Sequence, residues 1–194
     1  MIITISGTPG SGKSTIAKMI ANTLKAERIY VGGIRRELAR DKRMTLEELN
    51  VYAQTHPETD VDVDAKAAAQ ARELDRKGKI VVVEGRTQFY FLPESIKIYI
   101  KVDEHEGAQR IWKDLQKAQA KQERNEGLIT SFAQLTKSVE EREKNDARRY
   151  KKYYGFDHRD LKNYDFLLDT TTITAEEGAK KVLYYIHSKQ KTYK

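Results

Sequence analysis

The run Gly7-Thr8-Pro9-Gly10-Ser11-Gly12-Lys13-Ser14 constrains this chain more than any other stretch, because it stands between segments of different periodicity. Residues 2–6 form a short apolar run of strand type. Residues 13–24 repeat apolar side chains at Ile16, Ala17, Ile20, Ala21 and Leu24, which is one face of a helix. A turn this rich in glycine lets successive main-chain N–H groups converge on one anion, and the positive end of the following helix adds to the field. Strand, loop and helix in that order predict a triphosphate site built by Gly7, Thr8, Pro9, Gly10, Ser11, Gly12, Lys13, Ser14 and Thr15. Lys13 is expected to reach the β- and γ-phosphates and the Ser14 hydroxyl to ligate a metal, so ATP with Mg²⁺ is the expected cofactor pair.

The remainder alternates strand and helix patterns. A strand is expected over residues 28–31, ending at Gly32-Gly33, followed by helices over 34–40 and 45–53, the latter opened by a Thr45/Glu48 capping box. Helix continues to about Asp75, broken at Pro57 and rich in strong helix formers over 65–74. Further strands are expected over 79–83, 96–102 and 164–168, with helices over 106–121, 131–153 and 175–187 and a frayed basic tail over 189–194. Alternation of this kind predicts an α/β fold: a five-stranded parallel sheet with helices on both faces.

At 194 residues there is room for one domain with a substantial core. The apolar runs at 80–83 and 96–100 are far shorter than the roughly 20 residues that span a bilayer, so no membrane segment is expected. The start of the chain has no secretory pattern and the chain has no cysteine, which makes the cytoplasm the expected compartment. The charge of +7, from 36 basic and 29 acidic residues, suits phosphate-bearing partners and equally suits a solvated surface.

Two further groups favour phosphoryl transfer to a small molecule over a nucleotide-driven motor, for which the chain is short. Glu84 and Arg86 close the third strand, at the sheet edge where such folds bind ligands. Glu84 is a candidate for the water shell of Mg²⁺ or the acceptor, and Arg86 for a clamp on the acceptor phosphate; the alternative is an exposed ion pair. Arg142, Asp146 and Arg149 share one helical stripe, so two guanidinium groups flank a carboxylate. They suit charge stabilisation of a moving phosphoryl, with Asp146 ordering an arginine or taking an acceptor hydroxyl, and they equally suit a solvent-facing salt-bridge ladder. His56, His105, His158 and His187 show no metal-site spacing and are expected to be surface or hydrogen-bonded histidines, and Trp112 a packing residue.

With these motifs in place the chain resembles the archaeal-type cytidylate kinases, among the nucleoside monophosphate kinases of the P-loop class. The resemblance runs from the strand at Ile2 to Leu183 and is densest at residues 7–15, at Arg36-Glu37-Leu38 within 32–39, at Glu84-Gly85-Arg86, and over 141–154 with 164–171. It implies a P-loop NTPase fold with a monophosphate-binding arm at about 30–77 and a lid at about 113–131. It further implies that Arg36 and Arg86 hold the acceptor phosphate, that Arg110 lies near the ATP adenine, and that Asp60 and Asp64 fit an acidic pattern in the arm. The reaction so implied is transfer of the ATP γ-phosphoryl group to CMP or dCMP; a monomer is expected.

Departures from the family bear on the acceptor. Gly33 stands where the family has an acidic residue and Arg35 where it has an aromatic one. Ala65, Lys66 and Ala67 replace a stretch rich in Arg and Gln, residues 87–91 are more aromatic, and the lid around 116–127 is longer. Another monophosphate or small-molecule acceptor is therefore an open alternative. So is an ATP-dependent RNA-binding or assembly factor, prompted by the basic balance and by the tyrosine-rich stretch 150–154.

Overall fold

A computed structural model describes residues 1–117 and 129–192. Five strands, β1 (Ile2–Gly7), β2 (Glu27–Tyr30), β3 (Val81–Glu84), β4 (Ile96–Lys101) and β5 (Phe166–Asp169), form one sheet in the order β2-β3-β1-β4-β5. Every pairing is parallel. β1 is therefore central, and all six of its residues are buried. Its alternation divides the core. Ile3 and Ile5 meet Ile16, Ile20, Val82, Ile98, Val182 and Ile186 beneath α1 (Lys13–Leu24) and α8 (Ala175–Thr192). On the opposite face Ile2 meets Val81, Val83 and Ala67, Ala68 and Ala71 of α4 (Glu58–Arg76). Burial on both faces explains why the strands read as apolar runs without strict alternation.

Between β2 and β3 lie α2 (Val31–Asp41), α3 (Leu46–Tyr52) and α4. The expected capping box forms: Thr45 Oγ1 accepts from Glu48 N–H at 3.1 Å and Glu48 returns the bond to Thr45 N–H at 2.7 Å. Pro57 stands at the N-cap of α4, as its missing N–H allows. β2 does not run on to the glycines. The chain turns helical at Val31, and Gly32 and Gly33 lie inside the first turn of α2. Glycine suits position 33 because a Cβ there would come within 2.6 Å of the Tyr30 ring.

After β3 come α5 (Gln88–Phe91), β4, α6 (Glu104–Leu115), α7 (Phe132–Tyr154), a 3-10 turn at Leu161–Asn163, β5 and α8. Ser131 caps α7 at its start and Gly155, at φ 81, ends it. α6 stops at Leu115, so residues 118–128 of the expected helix and lid lie outside the described residues. α8 continues to Thr192, five residues past the expected end, and residues 193–194 of the expected tail lie outside the described residues. His158, expected at the surface or hydrogen-bonded, is buried. It is 2% exposed, with Nδ1 making no hydrogen bond among the described residues and standing 3.9 Å from Asp157, and Nε2 3.9 Å from Glu143.

Candidate active site

The carboxyl ends of β1, β2 and β3 open into one cavity of about 880 Å³. At its floor the loop before α1 curls with Gly10 at φ 73 and Gly12 at φ 76. The first amide to close on a helical carbonyl is that of Ile16, to Gly12 at 3.0 Å, so the amides of Lys13, Ser14 and Thr15 have no intrahelical acceptor. Pro9, Gly10, Gly12, Lys13, Ser14 and Thr15 line the cavity. Gly7, Thr8 and Ser11 shape the loop from behind: Thr8 Oγ1 accepts from Val102 N–H at 3.1 Å, and Ser11 Oγ donates to Thr8 O at 2.8 Å. Burial, reinforced by the neighbouring Arg86 guanidinium, pulls the Lys13 ammonium down to about 8. A polyanion arriving beside it favours the ammonium and raises the value again.

Glu84, 1% exposed, ends β3 between the loop and β2. Ser14 Oγ donates to one carboxylate oxygen, and Arg28 pairs with the other. Hydroxyl and carboxylate oxygens in contact beside a phosphate loop are hard donors of the kind Mg²⁺ takes, so Ser14 and Glu84 fit that ion. Arg28 was not evident from sequence. The signal was there in the parallel register, which sets Arg28 beside Val82 and Tyr30 beside Glu84 on one sheet face.

Across the cavity a chain of alternating charges ties α7 to the sheet and to α4. Arg86 pairs with Asp146, at 2.5 Å, and with Glu143. Asp146 also receives Arg149 at 2.6 Å and stands 3.9 Å from Arg142. Arg149 continues to Asp60 at 2.5 Å, and Asp60 also holds Arg35. Burial alone raises a carboxyl pKa, but Arg86, Arg149 and Arg142 outweigh it and hold Asp146 well below the ordinary range. Burial likewise opposes the charge of Arg86, and Glu143 and Asp146 overcome it. Asp64 is raised, chiefly by burial, though Tyr154 OH donates to it at 2.8 Å and Gln88 Nε2 at 3.1 Å.

A family model of the AAA domain matches residues 3–152. Cytidylate kinase of Archaeoglobus fulgidus is 36% identical over 191 residues, covering 98% of this chain and 97% of that protein. The chain belongs to the cytidylate kinase family. The cytidylate kinase of Methanopyrus kandleri is 32% identical, with 91% of this chain and 88% of that protein aligned. Among solved structures, shikimate kinase from Acinetobacter baumannii in complex with shikimate superposes with a TM-score of 0.57 at 18% identity, covering 97% and 93% of the two chains, which speaks to the P-loop kinase fold.

The residues that the cytidylate kinase resemblance singles out fall into two groups. Lys13, Ser14, Arg36, Glu84, Arg86, Arg110, Arg142, Asp60, Asp64 and Asp146 all border the cavity. Arg36 bonds Tyr30 OH at 2.8 Å and Gly32 O at 3.0 Å, while Arg110 is fastened to Thr170 O at 2.9 Å and Thr171 O at 3.2 Å beside the loop. Arg149 departs from the role expected of it. Its side chain is 2% exposed and paired with Asp60, Asp146 and Asn50 O, behind the residues that border the cavity. Tyr150 is buried, Tyr153 OH donates to Ala53 O at 2.6 Å, and Tyr154 OH serves Asp64, so these tyrosines are fastened within the fold. Glu143 was missed, although it is one residue beyond Arg142 and three before Asp146 on the same helix.

No helix among the described residues is long and apolar enough to cross a membrane.

Proposed function

We propose that this chain is a cytoplasmic, monomeric kinase that transfers the γ-phosphoryl group of ATP to CMP or dCMP, with α2–α4 as its acceptor-binding arm. The observation that carries the reading is one cavity bordered both by the phosphate loop with Lys13 and Ser14 and by the acceptor-side cations Arg36, Arg86 and Arg142. Lys13 and the loop amides bind the β- and γ-phosphates, and Arg110 sits at the adenine side. Arg36 and Arg86 orient the acceptor phosphate, and Arg142 is placed for charge spreading over the moving group. Ser14 and Glu84 would hold Mg²⁺, which would supply neutralisation of the triphosphate charge. Asp146 is a weak base, because its three arginines outweigh burial and hold its proton affinity far below that of a free carboxylate, and its task is to orient them. No base is needed, since a phosphate monoester with a second pKa near 6 is already anionic at neutral pH.

The test is ADP release with CMP, dCMP, UMP, AMP and GMP as acceptors. CMP and dCMP are expected to turn over fastest, and Lys13→Ala to abolish turnover while the circular dichroism spectrum is retained. A clear preference for a purine monophosphate, or turnover undiminished in Lys13→Ala, refutes the reading.

A further inference from the structure

Neighbouring residues on a helix diverge by about 100°, and on α2 this sends two arginines to different parts of the cavity. Arg36 turns back to Tyr30 and Gly32 at the edge of the sheet. Arg35 turns toward α3 and α4. Its Nη1 donates to Thr59 O at 3.2 Å and to the Asp60 carboxylate, and its Nη2 donates to Asn50 Oδ1 at 3.0 Å. Arg35 is 9% exposed and borders the cavity together with Asn50, Asp60 and Tyr150.

A guanidinium carries five N–H donors in a fixed plane. Three of those of Arg35 are spoken for by α3 and α4. The remaining two, on Nε and on Nη2, have no partner among the described residues. Nε–H and one Nη2–H point the same way along one edge, which is the edge that grips paired acceptors. Asp60 is itself clamped from behind by Arg149, so the Arg35 plane is fixed on two sides before any ligand arrives. Preorganised donors of this kind discriminate strongly, because a ligand lacking the acceptors leaves them unpaired.

Resting on the proposed CMP reaction, we propose that Arg35 is a specificity-determining residue that reads the acceptor base through this edge, pairing with N3 and O2 of cytosine. Cytosine presents two adjacent acceptors there. Uracil carries a hydrogen on N3 and turns the second contact into a clash of donors, so the same edge rejects UMP. The anchoring of Arg35 by α3 and α4, apart from the phosphate-facing Arg36, separates base reading from phosphate binding within one helical turn.

The experiment compares CMP, UMP and 3-deaza-CMP, in which a C–H replaces N3, on the wild-type protein, Arg35→Gln and Arg35→Lys. Wild-type kcat/KM is expected to fall about 10- to 100-fold from CMP to UMP, and similarly from CMP to 3-deaza-CMP, the range of one bidentate contact. In Arg35→Gln both ratios collapse toward unity, chiefly through loss of CMP turnover, and in Arg35→Lys they are intermediate. If Arg35→Gln folds poorly beside Asp60, the charge-balanced Arg35→Gln/Asp60→Asn protein is measured in its place, with the same expected collapse. Equal losses for CMP and UMP would assign Arg35 to phosphate binding or to scaffolding and overturn the proposal, as would wild-type indifference between CMP and 3-deaza-CMP. A wild-type protein that turns over neither pyrimidine sinks the parent reading as well. CMP turnover without N3 discrimination sinks only the role of Arg35.

Discussion

Two turns apart on α7, Arg142 and Arg149 present the same guanidinium to different surroundings, and that difference sets what each can do. Arg142, with its side chain 28% exposed, borders the cavity and stands 3.9 Å from Asp146. Arg149, at 2%, is wedged between two buried carboxylates. Arg142→Ala is expected to lower kcat by about 10²- to 10³-fold with the melting temperature little changed. Arg149→Ala is expected to destabilise the fold by about 3 to 5 kcal/mol, since it strips a partner from buried Asp60 and Asp146. Urea unfolding alongside steady-state kinetics separates the two. A stable Arg149→Ala protein defective only in kcat would return Arg149 to the catalytic wall. The stripe itself was legible from spacing, because three- and four-residue steps share a helical face. Which arginine faces ligand was not, because that depends on Asp60, a residue 89 positions away.

At the scale of elements, the phosphate loop owes its shape to a neighbour with no motif of its own. Gly107 in the first turn of α6 backs directly onto the loop. A Cβ there would come within 2.8 Å of Pro9 O and 2.9 Å of Val102 Cγ1, and one on Gly10 within 2.2 Å of Gly107 O. The main chain of the loop cannot swing aside as a flexible side chain can. Gly107→Ala is therefore expected to cost about 1 to 3 kcal/mol of stability, the usual penalty of overpacking, and to weaken binding of an ATP analogue by roughly tenfold as the loop amides lose their alignment. Fluorescence titration and thermal melting read the two effects. Unchanged nucleotide affinity would show that the loop keeps its form without this contact. Element types followed from periodicity and caps, with strand ends displaced by a residue or two. The early start of α2 was not legible because paired glycines usually read as a break, whereas here they lie inside the helix with the Tyr30 ring against Gly33.

For the molecule as a whole, His158 links the site to pH. Burial, then the Arg86 guanidinium, pushes its pKa down to about 4. A lowered pKa means that the folded state resists a proton which the unfolded chain accepts. The resulting stability is fully present above the unfolded value near 6.5 and is lost as pH falls from there toward about 4. At roughly 1.4 kcal/mol per pH unit, about 2 kcal/mol should vanish between pH 6.5 and pH 5. Denaturant unfolding at pH 7 and pH 5 measures this. His158→Gln should flatten the difference, and an equally steep loss in that variant would place the sensitivity elsewhere.

The sequence alone determined the phosphate loop, the parallel sheet flanked by helices and the cationic stripe on α7, because each is written in local patterns: a glycine-rich turn, apolar periods, helical spacing. Only the tertiary structure decided that Arg28 meets Glu84, that Asp60 is enclosed by Arg35 and Arg149, and that Gly107 braces the loop. Those pairings join residues far apart in the chain. No local period encodes them, since the register of β2 on β3 and the packing of α4 against the sheet must exist before the side chains can meet.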